Sequence, residues 1–98
     1  MAVKIICINK DNGQHLDPHE GITHLRWENE SSGETGKSTR MEMVRFIEND
    51  KGSAYVKDRY GNKVFLVVRV SRFGTKYVKT IANGVETDNL LYLEECRV

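Results

Sequence analysis

The chain has 98 residues, of which 39% are hydrophobic and 30% charged, and its net charge is +1. This length fits one domain with one modest core and leaves no room for a second, so a single domain is expected over residues 1–98. One Pro and a spread of aliphatic residues exclude a disordered chain, and no apolar run approaches the ~20 residues of a membrane helix.

Two strands are predicted in the first 30 residues. Residues 3–9 form a short run rich in Val and Ile, which is typical of a buried strand. Residues 22–28 alternate apolar and polar side chains, so Leu25 and Trp27 are expected to face the core while Arg26 faces outward.

A polar loop over residues 29–37 is expected to lead into a helix. Thr39 followed by Glu42 fits a capping box, which predicts the helix start. Gly52 fits its C-terminal cap. Residues 31–39 also resemble a phosphate-binding loop, but Ser31 stands where that motif needs Gly. We therefore expect a polar loop before a capped helix, with weak anion binding at the helix start as a lesser alternative.

The second half of the chain predicts an antiparallel meander. Strands are expected at residues 53–58, 63–71 and 75–82, separated by Gly-containing turns. Asn83-Gly84 is the strongest hairpin dipeptide, and residues 89–94 predict a short last turn or strand. No internal repeat is expected. The predicted fold class is α+β, a mostly antiparallel sheet of about five strands with one helix on one face, in the order β-β-α-β-β-β.

Residues that could carry chemistry are few. The start lacks a secretory signal, which predicts the cytoplasm, where Cys7 and Cys96 are expected to be free thiols. A disulfide joining the two ends is the less favoured alternative. His15, His19 and His24 do not have the spacing of a zinc site, so no metal, no cofactor and no catalytic residue is predicted.

Charge is distributed unevenly along the chain. Residues 51–80 carry eight Lys and Arg residues against Asp58 alone, whereas the flanking segments are net acidic. Alternation on the strand over residues 63–71 places some of these cations beside an aromatic side chain on one face. The candidate anion-binding or nucleic-acid-binding residues are Lys63, Phe65, Arg69, Arg72, Lys76, Tyr77 and Lys79.

Several functions fit this basic segment. We expect a non-enzymatic binding or accessory module that acts through protein interaction or dimerisation, with an acidic protein or a second copy of the chain as partner. Single-stranded nucleic-acid binding is the alternative, because it combines cations with exposed aromatic rings. An enzyme with an unrecognised site is the third. An ordinary solvated sheet face would instead pair its cations with neighbouring acids.

The C-terminal third carries a string that resembles a family of short bacterial proteins known only as a domain of unknown function. The residues of this string are Tyr77, Thr80, Asn83, Gly84, Asp88, Asn89, Leu90, Leu91, Leu93 and Cys96. The family's usual ending has Pro between the last Leu and the Cys, where this chain has Glu94 and Glu95. The resemblance implies a small bacterial protein and brings no catalytic residues. Within the string, Tyr77 and Thr80 have polar groups with no evident structural role.

Overall fold

The computed structural model describes residues 2–11, 21–82, 84–87 and 89–96. Within these residues, seven strands form one sheet, α1 covers Arg40–Glu48, and a short 3-10 helix covers Asn89–Tyr92. The strands are β1 (Ala2–Lys10), β2 (Ile22–Glu28), β3 (Thr35–Thr39), β4 (Ser53–Lys57), β5 (Lys63–Val70), β6 (Lys76–Ala82) and β7 (Val85–Thr87).

The sheet has the strand order β3-β2-β1-β4-β5-β6-β7. All neighbouring strands are antiparallel except β1 and β4, which pair in parallel from Ala2 opposite Ser53 to Lys4 opposite Tyr55. A parallel pair needs a long crossover connection, which β2, β3 and α1 provide here. The predicted α+β class with one helix is confirmed, whereas the expected number and order of strands omitted β3 and β7.

One face of the sheet, the helix face, carries the core. Its buried side chains include Ile5, Leu25, Val56, Leu66 and Val78, which alternate with outward-facing residues along their strands. α1 packs Met43 and Val44 against this face, and Leu90 of the 3-10 helix is buried in the same core. The side chains that alternate with these core residues along each strand lie on the opposite face of the sheet, which we call the open face.

The start of α1 agrees with the predicted capping box. The Thr39 hydroxyl accepts a hydrogen bond from the Glu42 N–H (3.1 Å), and the Glu42 carboxylate accepts one from the Thr39 N–H (2.9 Å). Because a carboxylate already lies at this helix start, a second anion is disfavoured there.

The end of α1 differs from the prediction. The helix ends at Glu48 with Asn49 as its cap, and Lys51, not Gly52, has the left-handed backbone conformation (φ 56°). Gly52 is needed for space instead, because a Cβ there would lie 2.1 Å from the Phe46 ring.

The last residues of the polar run predicted as a loop, 35–37, belong to β3. Thr35–Thr39 pairs with β2, so the resemblance to a phosphate-binding loop is not matched by a loop conformation. The Trp27 ring lies directly over Gly36, where a Cβ would be 2.3 Å from Cζ2. The Trp27 indole N–H donates to the Ser38 hydroxyl (3.1 Å), which ties the polar strand to β2.

The C-terminal segment lies beside β1. Ile8 N–H donates to the Glu94 carbonyl (3.1 Å), and Cys96 N–H donates back to the Ile8 carbonyl (2.9 Å). A disulfide joins Cys7 to Cys96, so the expectation of free thiols is wrong. It failed because the two ends of the chain meet only through this long-range strand pairing.

Some predictions fall on residues outside the described parts of the chain: those concerning His15, His19, Asn83 and Asp88. Across the described ranges, no helix combines the length and the apolar character needed to cross a membrane.

Candidate functional site

The open face is predominantly basic. Its described cations come from six neighbouring strands. Three of them lie outside the basic segment of the sequence: Lys4 on β1, Arg26 on β2 and Lys37, opposite Arg26, on β3. The alternation of residues 22–28 predicts the outward position of Arg26, whereas the assignment of residues 29–37 to a loop hid Lys37. The cations of the open face are Lys4, Arg26, Lys37, Lys57, Lys63, Arg69 and Lys79.

Glu30, in the turn after β2, neutralises part of this charge. Its carboxylate accepts hydrogen bonds from the Tyr55 hydroxyl and from Lys57 Nζ (3.1 Å), and Lys4 Nζ lies 4.0 Å away. Lys4 Nζ is also 3.7 Å from Glu28 Oε1. The hydrogen bond from Tyr55, followed by that from Lys57, holds the pKa of Glu30 below its ordinary value. Lys4 and Lys57 are therefore occupied within the fold.

Tyr55 is the buried centre of the open face, only 3% exposed. Its hydrogen bond to Glu30, reinforced by burial, raises its pKa to about 12. Lys63 Nζ lies 4.7 Å from the centre of the Tyr55 ring, and the Phe65 ring meets it edge-on at 5.8 Å. Phe65 itself remains 44% exposed. Tyr55 thus contacts both a cation over its ring face and the exposed ring of Phe65.

The structure separates the candidate residues into groups. Lys63, Phe65 and Arg69 share the open face, as the alternation of β5 predicts. Lys76 lies on the helix face, where its Nζ is 2.8 Å from Glu48 Oε1 of α1. Tyr77 is on the open face but only 9% exposed, so its ring is not available for stacking.

Arg69, Tyr77 and Lys79 are all engaged in contacts within the fold. Arg69 Nη1, for example, donates to the Val68 carbonyl (3.2 Å). Thr80 also has a structural role that the sequence did not reveal, because its buried hydroxyl donates to the Thr87 carbonyl (3.0 Å) and links β6 to β7.

Two further aromatic–cation pairs lie in the turns that flank β5. Arg59 is 5.2 Å from the ring centre of Tyr60 in the β4–β5 turn, and Arg72 is 5.6 Å from that of Phe73 in the β5–β6 turn. Tyr60 is 76% exposed and Phe73 82%. Among the described side chains, the exposed aromatic rings thus all lie within residues 59–73, which we call the 59–73 segment. Tyr60 and Phe73 each have an Arg over the ring, and Phe65 packs against the ring that Lys63 covers.

A cleft and the side chains that could bind a metal ion are the other candidate sites. A cleft of about 600 Å³ lies between the β4–β5 turn and the C-terminal segment, lined by Arg59, Tyr60, Asn89 and Leu93 among others. The described residues contain no cluster of three or more His, Cys, Asp or Glu side chains able to hold a metal ion. His24 lies at the surface of β2, with Nδ1 3.0 Å from the Thr23 hydroxyl.

Comparison with known proteins identifies a family. A family model described as a protein of unknown function (DUF3892) matches residues 4–94, which confirms the resemblance to a domain family of unknown function. No curated protein matches the chain, and no solved structure does. The geometry of the site is therefore the basis for inferring its function.

Proposed function

This chain belongs to the DUF3892 family of proteins of unknown function, and we propose that it binds single-stranded nucleic acid along β5 and the two turns that flank it. The role is binding rather than catalysis. The observation that carries the proposal is the arrangement of the 59–73 segment. An Arg lies over each of the exposed Tyr60 and Phe73 rings, and the exposed Phe65 ring packs against Tyr55, which has Lys63 over its ring. Exposed rings stack on bases and cations contact phosphates, which is how proteins bind single strands without reading their sequence.

The spacing of the rings favours nucleic acid over a protein partner. Protein interfaces have a contiguous apolar core that becomes fully buried. Here the three rings are separated along the strand, because five residues lead from Tyr60 to Phe65 and eight from Phe65 to Phe73. Bases of a single strand stack one by one, so separated rings suit them.

The charge of the segment gives the expected salt dependence. Arg59 and Arg72 lie over exposed rings, and Lys63 lies over the buried Tyr55 ring. At these positions the three cations would meet phosphates of a bound strand. Each phosphate contact to a single strand contributes about −0.7 to the slope of log K against log salt, so three contacts predict a slope of about −2.

Fluorescence anisotropy with labelled oligo(dT) and oligo(rU) tests the proposal. Both single strands are expected to bind at low salt, more tightly than a duplex of the same length, because a duplex hides its base faces. Binding should weaken with salt at the slope given above. Absence of binding to every single strand at low salt would reject the function.

Substitutions on β5 localise the binding. Phe65→Ala is expected to weaken binding about 5- to 150-fold, since stacking on one base contributes roughly 1–3 kcal/mol. Val70→Ala is the matched control, because Val70 is 59% exposed on the same strand but belongs to the helix face. Equal effects of the two substitutions would contradict a role for the Phe65 ring.

The cations provide a second matched pair. Lys63→Gln should weaken binding and reduce the salt slope by about 0.7. Lys76→Gln should leave both unchanged, because Lys76 lies on the helix face with Glu48. A larger effect from Lys76→Gln than from Lys63→Gln would place the ligand on the helix face and contradict the proposal.

An acidic protein or a second copy of the chain is the second candidate partner. It is favoured by the cross-strand row of Tyr55, Phe65 and Ile81, which places an apolar strip beside Lys63. A labelled poly-glutamate peptide in the same anisotropy assay, and the molecular mass in solution, test it directly. Tighter binding of that peptide than of the single strands would favour the acidic protein. A bacterial origin and a cytoplasmic location stay predictions of the sequence.

A further inference from the structure

The two turns that flank β5 have the same sequence pattern. Each has a short side chain that accepts hydrogen bonds, then Arg, an aromatic residue, Gly and a polar residue. The first turn is Asp58, Arg59, Tyr60, Gly61 and Asn62, and the second is Ser71, Arg72, Phe73, Gly74 and Thr75. The expectation of no internal repeat overlooked this five-residue repeat, because its members match in type rather than in identity.

The backbone hydrogen bonds of the two turns are also the same. The N–H of the first residue donates to the carbonyl of the fifth, from Asp58 to Asn62 at 3.0 Å and from Ser71 to Thr75 at 2.8 Å. The fourth-residue N–H, from Gly61 or Gly74, bonds to the first carbonyl at 3.0 and 2.9 Å. Both glycines have a positive φ, 82° and 85°, which explains Gly at this position.

The first side chain closes each turn in the same way. The Asp58 carboxylate accepts from the N–H groups of Tyr60 and Asn62 at 2.8 and 2.9 Å. The Ser71 hydroxyl accepts from the N–H groups of Phe73 and Thr75 at 3.3 and 3.1 Å. The turn geometry thus accounts for the first, fourth and fifth residues of the repeat.

The geometry does not account for the Arg and the aromatic residue. Central positions of such a turn accept most residue types. Tyr60 and Phe73 are largely exposed, so their rings contribute little burial to the fold. The same exposed pair nevertheless occurs in both turns, with Arg over the ring each time. A shared role in binding explains the repetition.

We propose that the two turns are equivalent nucleotide contacts at the two ends of one site, engaged together by a single strand lying along β5. This inference rests on the proposed function and adds the length of its ligand. The eight residues of β5 span about 26 Å. A stacked strand rises about 3.4 Å per nucleotide, so about eight nucleotides, or fewer if extended, reach from one turn to the other.

A strand that reaches both turns gains from linked binding. Its second contact is intramolecular, so affinity exceeds that of either contact alone. A strand of about three nucleotides reaches only one turn. It would therefore bind weakly, with two equivalent turn contacts available per chain.

An oligo(dT) length series, from about two to twelve nucleotides, tests this with the full chain. Affinity should rise at least about tenfold between three and eight nucleotides and then level off. Tyr60→Ala and Phe73→Ala should each weaken eight-nucleotide binding by similar factors, and the double variant should bind eight nucleotides no better than three. Exchange of the rings, Tyr60→Phe with Phe73→Tyr, should retain the wild-type length dependence.

The outcomes separate this inference from the proposed function. Binding that does not change with length, or a double alanine variant that binds like the wild type, overturns the inference while Phe65-dependent binding still supports the function. No binding at any length overturns both. The unfolding midpoint of each variant should match the wild type, because the residues that close the turns are unchanged, so loss of binding reports the contacts themselves.

Discussion

At the scale of single residues, Tyr55 connects the structural and the binding parts of the open face. Its hydroxyl is held by Glu30, and its ring lies under Lys63 and against Phe65. Burial of a phenol is favourable only if its hydroxyl finds a partner, which the carboxylate provides. The Glu30–Tyr55 hydrogen bond therefore orients the ring that positions the cation and the exposed Phe65.

The pH dependence of this pair is a testable consequence. The pKa of Tyr55 is raised from 10 to about 12, so the unfolded chain loses this proton first and the free energy of unfolding should fall as pH rises from 10 to about 12. Glu30→Gln should return the titration of Tyr55 toward 10. Phenolate absorbance titrations of wild type and Tyr55→Phe isolate this group by difference. An unchanged Tyr55 titration in Glu30→Gln would show that the carboxylate is not the cause.

What could be predicted at this scale depended on strand alternation. Lys63, Phe65 and Arg69 share a face because side chains alternate along β5, and this was readable from the sequence. The pairing of Lys76 with Glu48 was not, because the two residues lie 28 positions apart and meet only when α1 packs on β6. Proximity in sequence grouped Lys76 with the other cations, whereas the fold turned it away.

At the scale of elements, β3 shows how tertiary context overrides propensity. Thr35–Thr39 is polar and contains Gly, so apart from its two Thr residues its composition does not favour a strand. It becomes one because β2 offers a paired edge and Trp27 covers Gly36. The capping box at Thr39, by contrast, is a local pattern and was predicted correctly. Local chemistry was readable from the sequence, while strand pairing was not.

The cap provides a prediction for stability. Thr39→Ala removes the hydroxyl that accepts from Glu42 N–H, and the free energy of unfolding should fall by about 1 kcal/mol. Thr35→Ala at the other end of the same strand is the matched control, because Thr35 is exposed and has no capping role. Urea denaturation of both variants measures the difference. A loss in Thr35→Ala as large as in Thr39→Ala would show that strand propensity, not capping, is responsible.

At the scale of the whole molecule, the two ends of the chain meet at β1. β1 pairs with β4 only over Ala2–Lys4, and beyond that point the C-terminal segment takes the place beside it at Ile8. Neither pairing follows from local sequence, since each joins distant parts of the chain. The Cys7–Cys96 disulfide closes this arrangement. Because cytosolic thiols are normally kept reduced, the disulfide is not what the predicted cytoplasmic location would lead us to expect.

The disulfide gives the last prediction. It links residues 89 positions apart, so it strongly restricts the unfolded chain, and the chain-entropy model gives a stabilisation of up to roughly 4–5 kcal/mol. A reductant should lower the urea midpoint of the wild type, whereas the double variant Cys7→Ser with Cys96→Ser should start lower and not respond. Alkylation followed by mass spectrometry checks the bond itself. Labelling of both cysteines without reductant would contradict the disulfide, and the Ile8 hydrogen bonds would then hold the C-terminal segment alone.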